Sequence, residues 1–562
     1  MQNLLQGSAL IQMQNKTAKR QNFMHGAVIL TIGVVIMKIL GAFYKIPLGN
    51  ILKDDGYSMF TSAYNVYYVF FTLATAGMPV ALSRLIAEAD ANGRAAQEEK
   101  TFRVALCTFA VIGILFSSVM FLFPEWLATS ITRNPDAAWS IRAMAPSILL
   151  VCLVSAYRGY CQGNGNMIPT TVDEVLEVLF KVLSGVLLSS LIMRAGLGKP
   201  LGSAGALFGA TVGSIVSLTY MIIYKKRNYR SLAASYSAGI HAPGDTPDDD
   251  NVVDSTSTIV KDVLRIGIPI SLGASIMAIL NLVDSSLCMG RLQSAAGFSY
   301  SEAKVLYGIY GKAQTLFNLP AALTQPLNIS SVPAIAGAIA AGRRTESGKI
   351  TEDSLRITSV ISLPMGVGLT VMAFPIINLL YPNSHQAGPL LLRIMGVCSF
   401  FVCIVLMQNA ILQASGKERL PMYSMITGSL VKITVNWFLV ATPSINIVGA
   451  PIGTLCGYVT MMLMNFIFMR KSAGLNIRYG RVIFKPLLCS VIMGVSALLV
   501  YVLAGDLIGT ASWMRLAICT VLAIFAAVVV YVITVVVFKT VTNEDLQLIP
   551  GGAKIGKLLH IR

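Results

Sequence analysis

Lysine is rare inside apolar sequence, and this chain places it there repeatedly. Lys38 sits in the middle of TIGVVIMKILGAFYKIP, residues 31–47, with no acid within a helical turn on either side, and Lys45 follows two turns later. Lys312 lies inside YGIYGKAQTLFNLPAALTQP, residues 307–326. A lysine at the centre of a bilayer costs about 2.5–3.5 kcal/mol on insertion scales, so such a residue has a partner, reaches for the interface or faces water. The chemistry on offer is reversible anion binding, because an ammonium is a point charge that can let go again. Lys38 and Lys45 share a helical face by spacing. Two readings stand for Lys38. It lines a water-filled cavity, or its stem snorkels toward the interface beyond Pro47, about 13 Å away along a helix. Lys312 likewise either lines a cavity or pairs structurally with an acid such as Asp284.

Acids form a second group. In PTTVDEVLEVLFKVLSG, residues 169–185, Glu174, Glu177 and Lys181 fall on one helical face. Glu177 and Lys181 have the spacing and order of a favourable helical ion pair. That leaves Glu174 formally unpaired, able to take a proton or a cation. Asp284 is the other acid deep in an apolar run. A carboxylate so placed is a handle for Na⁺ or H⁺ coupling or the partner of Lys312. Lys432 has no acid near it in sequence.

The elements that position these residues are helices. The chain is 55% hydrophobic and only 12% charged, against roughly a quarter charged in soluble domains. Apolar runs of about 20 residues, each long enough to span a bilayer, recur throughout. These features predict an all-α polytopic membrane protein. Fourteen spans are expected, centred near residues 34, 70, 113, 151, 180, 213, 276, 322, 367, 401, 431, 459, 495 and 526. Lys and Arg on one set of connections outnumber those on the other roughly three to one, which puts both termini in the cytoplasm of a plasma membrane. The net charge of +17 therefore reflects cytoplasmic loops, and no nucleic-acid partner is expected. The polar segment before the first span, with Lys16, Lys19 and Arg20, predicts an uncleaved anchor. The nine cysteines lie in apolar runs as packing residues, and no cluster of metal-ligand type occurs.

The spans repeat. Gly205, Ala206, Gly209 and Gly213 match Gly449, Ala450, Gly453 and Gly457 at one constant offset. QGNGNMIP (162–169) answers QASGKERLP (413–421), and Gly165 and Lys181 match Gly416 and Lys432. Ile36, Met37, Ile39 and Leu40 match Ile276, Met277, Ile279 and Leu280. Six spans per copy give parallel repeats, a geometry of transporters. The expected organisation is a cytoplasmic segment 1–22, an N-lobe 23–225, a polar cytoplasmic linker 226–260, a C-lobe 261–471, two further spans in 472–540 and a cytoplasmic tail 541–562. Small residues spaced by four let helices approach closely. Pro320, Pro326 and Pro333 break span 8 and offer hinges.

Six plus six plus two spans, the QGNGNMIP turn and the N-terminal KILGAFYKIPLGNIL resemble the polysaccharide-transport branch of the MOP exporter superfamily. The likeness extends to its stage V sporulation protein B group, found in Gram-positive bacteria, and more distantly to the MurJ lipid II flippases. The resemblance covers about residues 20–540. It implies a V-shaped, MATE-like bundle working by alternating access. It also implies a lipid-linked substrate, an undecaprenyl-pyrophosphate saccharide such as the peptidoglycan precursor lipid II, moved from the inner to the outer leaflet. MurJ-like cavities are cationic on spans 1, 2 and 8. By that likeness Lys38, Lys45 and Lys312 would take the pyrophosphate. Span 2 departs from the pattern, with Tyr64, Asn65 and Tyr67 in place of a base, and of these Tyr64 and Asn65 join the expected substrate-binding residues. Asp284 and Glu174 are the candidates for ion coupling, and no other cofactor is implied.

The alternative is a MATE-type multidrug or organic-cation antiporter, which needs buried acids; the first span here carries bases instead. An enzyme such as a polymerase would need a large outer loop with catalytic groups. The connections are short and the four histidines (His25, His241, His385, His560) are scattered, so no catalytic residues are expected.

Overall fold

A computed structural model describes residues 2–92, 94–237, 253–471, 479–509 and 512–540. The side chains of residues up to 32, and that of Lys38, lie outside the described set, as do the linker core 238–252 and the tail 541–562. Every regular element among the described residues is helical. The chain divides into two compact units: residues 1–44 with 62–282, and residues 45–61 with 283–562.

The first unit contains most of α1 (Gln2–Thr75), then α2 (Met78–Ala91), α3 (Ala95–Leu122) and the single turn α4 (Pro124–Trp126). It continues through α5 (Ala138–Gly163), α6 (Ile168–Arg194), α7 (Lys199–Ser237) and the larger part of α8 (Thr256–Ser294). The second unit holds the end of α8, then α9 (Tyr300–Ala340), α10 (Arg344–Val371), α11 (Ala373–Leu380) and α12 (Gly388–Ala414). It closes with α13 (Arg419–Leu439), α14 (Gly449–Lys471), α15 (Tyr479–Ile508) and α16 (Trp513–Val537). The segment Lys45–Thr61, cut from the middle of α1, also packs here. These divisions fall at 44, 61 and 282, whereas the repeat pattern divides the sequence at the 226–260 linker.

Among the described residues, eleven helices are long and apolar enough to cross a membrane. Each of the remaining three expected spans has a local reason to fall short. The side chains of the first lie largely outside the described set, α9 carries Lys312 and Asn318, and α13 carries Lys432 and Asn436. Local chemistry explains several boundaries. Lys53 adopts φ 60° and ψ −167°, which breaks α1 into two helices at KDDG. Ser299 and Glu302 form a reciprocal cap on α9: the Glu302 N–H donates to the Ser299 hydroxyl at 3.3 Å and the Ser299 N–H to the Glu302 carboxylate at 2.9 Å. From that cap α9 runs through Pro320, Pro326 and Pro333 as one helix, so these prolines do not break it.

The repeat has a physical counterpart inside each unit. Gly165 and Gly416, which end α5 and α12, have φ of 71° and 70°, the left-handed turn that glycine allows without strain. A Cβ on Gly213 of α7 would lie 2.4 Å from the Glu177 carbonyl oxygen and 3.2 Å from the Lys181 Cβ of α6. A Cβ on Gly457 of α14 would lie 2.8 Å from the Gly428 carbonyl oxygen and 3.1 Å from the Lys432 Cβ of α13. The helix pair α6/α7 is thus packed like α13/α14, with the matched lysine against the matched glycine in each.

Candidate functional site

The break at Lys53 turns Asp54 into the start of the second half of α1, where an acid suits the positive end of the helix. The Lys312 ammonium, from α9, donates to Asp54 Oδ1 at 2.5 Å. The Ser384 hydroxyl donates to the same oxygen at 3.1 Å, and the His385 N–H to Oδ2 at 2.8 Å. Lys312 also reaches the Ser384 hydroxyl at 3.0 Å and lies 5.1 Å from the centre of the Tyr381 ring. Only 2% of the Lys312 side chain and 9% of that of Asp54 are exposed. Close approach needs small residues: a Cβ on Gly308 would fall 1.7 Å from the Asp54 carbonyl oxygen. Tyr57, one turn after Asp54, bonds Thr315 at 2.9 Å. The turn Lys45–Thr61 is therefore latched onto α9 and the α11–α12 connection.

Two other charged centres sit on the matched helices. In the second unit, the Lys432 ammonium contacts Asp284 Oδ2 at 2.8 Å and the Asn436 amide donates to Oδ1. In the first unit, Arg158 of α5 contacts three acids of α6: Asp173 at 2.6 Å, Glu177 at 2.7 Å and Glu174 at 3.7 Å. Ser217 of α7 donates to the second oxygen of Asp173.

The sequence pairing is corrected in three places. Lys312 pairs with Asp54, not Asp284. Asp284 pairs with Lys432, which has no acid near it in sequence. Glu177 turns to Arg158 instead of Lys181, and Glu174 has Arg158 at 3.7 Å instead of standing unpaired. Lys181 lies 5.3 Å from the centre of the Tyr64 ring. Of the other candidates, Lys45, Tyr64 and Asn65 are half-buried and each has polar or ring partners.

Comparison with known proteins decides the family. A model described as "Polysaccharide biosynthesis protein" matches residues 23–339, and a MatE model matches residues 306–438. The chain belongs to the polysaccharide biosynthesis protein family. It is 22% identical to "Stage V sporulation protein B" of Bacillus subtilis (strain 168), over 96% of this chain and 99% of that one. It is 23% identical to "Lipid II flippase MurJ" of the same organism, over 86% and 89%. Its fold matches a solved structure of "Lipid II flippase MurJ, inward closed conformation" with a TM-score of 0.64 at 16% identity, covering 91% of this chain and 98% of that one. As a member of this family the chain is a multi-pass membrane transporter of the flippase type, not an enzyme.

Three residues of the charged centres escape a sequence reading. Arg158 lies in the apolar run of α5, and its cost there is the signal that betrays it. Asp54 hides in KDDG, which reads as an exposed connection. Asp173 stands four residues before Glu177, so the helical spacing puts it on the face of Glu177 and Lys181, and that spacing is the signal that could have found it.

Proposed function

We propose that this protein carries an undecaprenyl-pyrophosphate-linked saccharide, lipid II among the candidates, from the inner to the outer leaflet of a Gram-positive plasma membrane. The observation that carries the reading is Lys312, a buried cation in a flippase-type fold whose counter-charge, Asp54, sits on a separate turn of chain. A pyrophosphate can replace that carboxylate when the turn lifts, so the ammonium exchanges one anion for another without standing bare. Lys38 and Lys45 supply further positive charge, and Tyr64 and Asn65 polar contacts. The working architecture is fourteen spans as two parallel six-helix repeats plus two, with both termini cytoplasmic, alternating access and coupling to Na⁺ or H⁺. The lobes are 23–225 and 261–471, followed by two spans in 472–540.

The test is reconstitution in liposomes with labelled lipid II and other undecaprenyl-linked sugars. Outer-leaflet appearance is measured for the natural chain and for Lys38→Gln with Lys312→Gln combined. The expected outcome is transport that the double variant abolishes. Normal transport by the double variant would show that these lysines only pair or snorkel.

A MATE-type organic-cation antiporter is the second reading. The observation that favours it is the excess of acid over base around Arg158. Transport of organic cations but of no lipid-linked sugar in the same liposomes would select it.

A further inference from the structure

The matched charged centres differ in one respect: they do not carry the same net charge. In the second unit Asp284 and Lys432 sum to zero. In the first, Asp173, Glu174 and Glu177 face Arg158, with Lys181 a turn further along α6 against Tyr64. Three carboxylates against two cations leave one negative charge in a helical bundle within the membrane. Among the described residues the neighbours from other helices do not cancel it: Lys225 of α7, in electrostatic reach of Cys161, is held by Glu99 at 3.0 Å. Cys161 on α5, Tyr220 on α7 and Tyr67 on α1 are in electrostatic reach, and thiols and phenols are neutral near pH 7. Ser217 is neutral too.

The three acids are not equivalent. Asp173 is fully buried and holds both Arg158 and Ser217. Glu177 has a guanidinium hydrogen bond at 2.7 Å. Glu174 has only the 3.7 Å contact, too long for a hydrogen bond, and the most exposed side chain of the three at 27%. One turn earlier on the same helix, at i−4, Thr170 is 1% exposed and its hydroxyl has no hydrogen-bond partner. The register places that hydroxyl on the face of Glu174. A buried hydroxyl without a partner is costly, and a carboxyl on that face is a group that could satisfy it in either state, accepting from it when ionised and donating to it when protonated.

We infer that Glu174 is the proton-carrying residue of this transporter. It takes a proton from water to become a neutral acid, which brings the sum over the three acids, Arg158 and Lys181 to zero, and returns the proton to water in the other half of the cycle. No other bond forms or breaks. A metal cation is the poorer occupant, because the guanidinium stands between the three carboxylates and would repel it. Asp284 needs no exogenous ion, since Lys432 is a tethered one. This rests on the reading of the chain as a coupled transporter and fixes which ion and which residue.

Two readouts test it on the full chain. The first is infrared detection of a protonated carboxyl in detergent at neutral pH, present in the natural protein and absent from Glu174→Gln. The second is flipping in liposomes under opposed proton gradients. One pH unit is a factor of about ten in proton activity, so natural-protein rates should differ up to about tenfold with gradient direction. In Glu174→Gln the ratio should fall to about one, and Glu174→Asp should restore some of it, while Asp284→Asn combined with Lys432→Gln, which removes the other centre without stranding a charge, leaves the ratio as it was. The inference is overturned if the infrared band survives in Glu174→Gln, if its gradient response is intact, or if a Na⁺ gradient replaces the proton gradient. Failure of the natural chain to flip any lipid would sink the flippase reading, and the infrared band would still decide the protonation of Glu174.

Discussion

The Asp54–Lys312 latch yields the most quantitative prediction. Both side chains are nearly inaccessible, at 9% and 2%, so removing one partner leaves the other charge buried without compensation. Breaking a buried pair in this way costs about 3–5 kcal/mol. Asp54→Asn keeps the shape but has one acceptor oxygen, so it can accept from Ser384 or from the His385 N–H and not from both, which bond different oxygens of the carboxylate; it also removes the charge that Lys312 needs. Lys312→Gln strands the Asp54 carboxylate in turn. With both changes no bare charge remains, so the double variant should be far less destabilised than the two singles summed. A coupling energy of about 2–3 kcal/mol is expected, at the upper end for contacting residues. Chemical denaturation of the purified protein in detergent measures the cycle. An independent signal comes from the turn itself: Ser58, fully buried beside the latch, is replaced by cysteine and probed with a maleimide. Every 1.4 kcal/mol is a factor of ten, so loss of about 3 kcal/mol should raise the labelled population more than a hundredfold. Single-variant effects that add to within about 0.5 kcal/mol, with Ser58→Cys no more reactive than before, would refute the latch as an energetic unit.

Further outcomes follow from the same contacts. Lys432→Gln should destabilise by about 3–5 kcal/mol through the stranded Asp284, and adding Asp284→Asn should restore most of that in the same denaturation assay. Gly308→Ala should prevent the Lys45–Thr61 turn from docking, since its Cβ would lie 1.7 Å from a backbone oxygen; it is read as Ser58→Cys labelling equal to that of Asp54→Asn. Gly453→Ala puts a methyl 2.0 Å from the Asn436 amide oxygen and should lower thermal stability, with partial rescue by Asn436→Gly, the residue that Gly185 supplies in the other repeat. Cysteines at Ser237 and Ser384 should label from opposite sides of intact cells; labelling of both from outside would end the fourteen-span topology.

How much of this was legible in the sequence depends on the range of the interaction. Helix positions were legible, because a run of apolar residues carries its own signal: every expected span centre falls inside a helix. The repeat was legible from glycine spacing, since a close helix crossing admits almost nothing larger, and the same positions make the same contacts in α6/α7 and α13/α14. The ion pairs were not. Sequence proximity assigned Glu177 to Lys181 and offered Asp284 to Lys312, and the folded chain prefers Arg158, Lys432 and Asp54. A salt bridge needs only two side chains with opposite charge, and any of several neighbouring helices can supply one. Asp54 is the clearest case. KDDG has the composition of a solvated turn, yet the Lys53 break and the absence of a side chain at Gly308 let that turn bury its acid.

Lys181 and Lys432 show what this difference in range does to a duplicated fold. Both occupy the same register, against Gly213 in one unit and Gly457 in the other, at nearly the same separation. Packing is therefore retained between the copies, because a larger residue in place of the glycine would push the helices apart along their whole crossing. Charge is under no such constraint. A lysine stem can swing its ammonium to any acid or ring within reach, so one copy settles on Asp284, which also accepts from Asn436, and the other lies by Tyr64, leaving its neighbouring acids to Arg158. Even with Lys181 counted beside Arg158, the three α6 acids exceed their bases by one, and on the inference drawn above that charge is met by a proton from water. In the copy where lysine kept its acid, nothing is missing. The two halves of one ancestral site are thereby left with different work: one is closed by its own lysine, and the other is open to a proton.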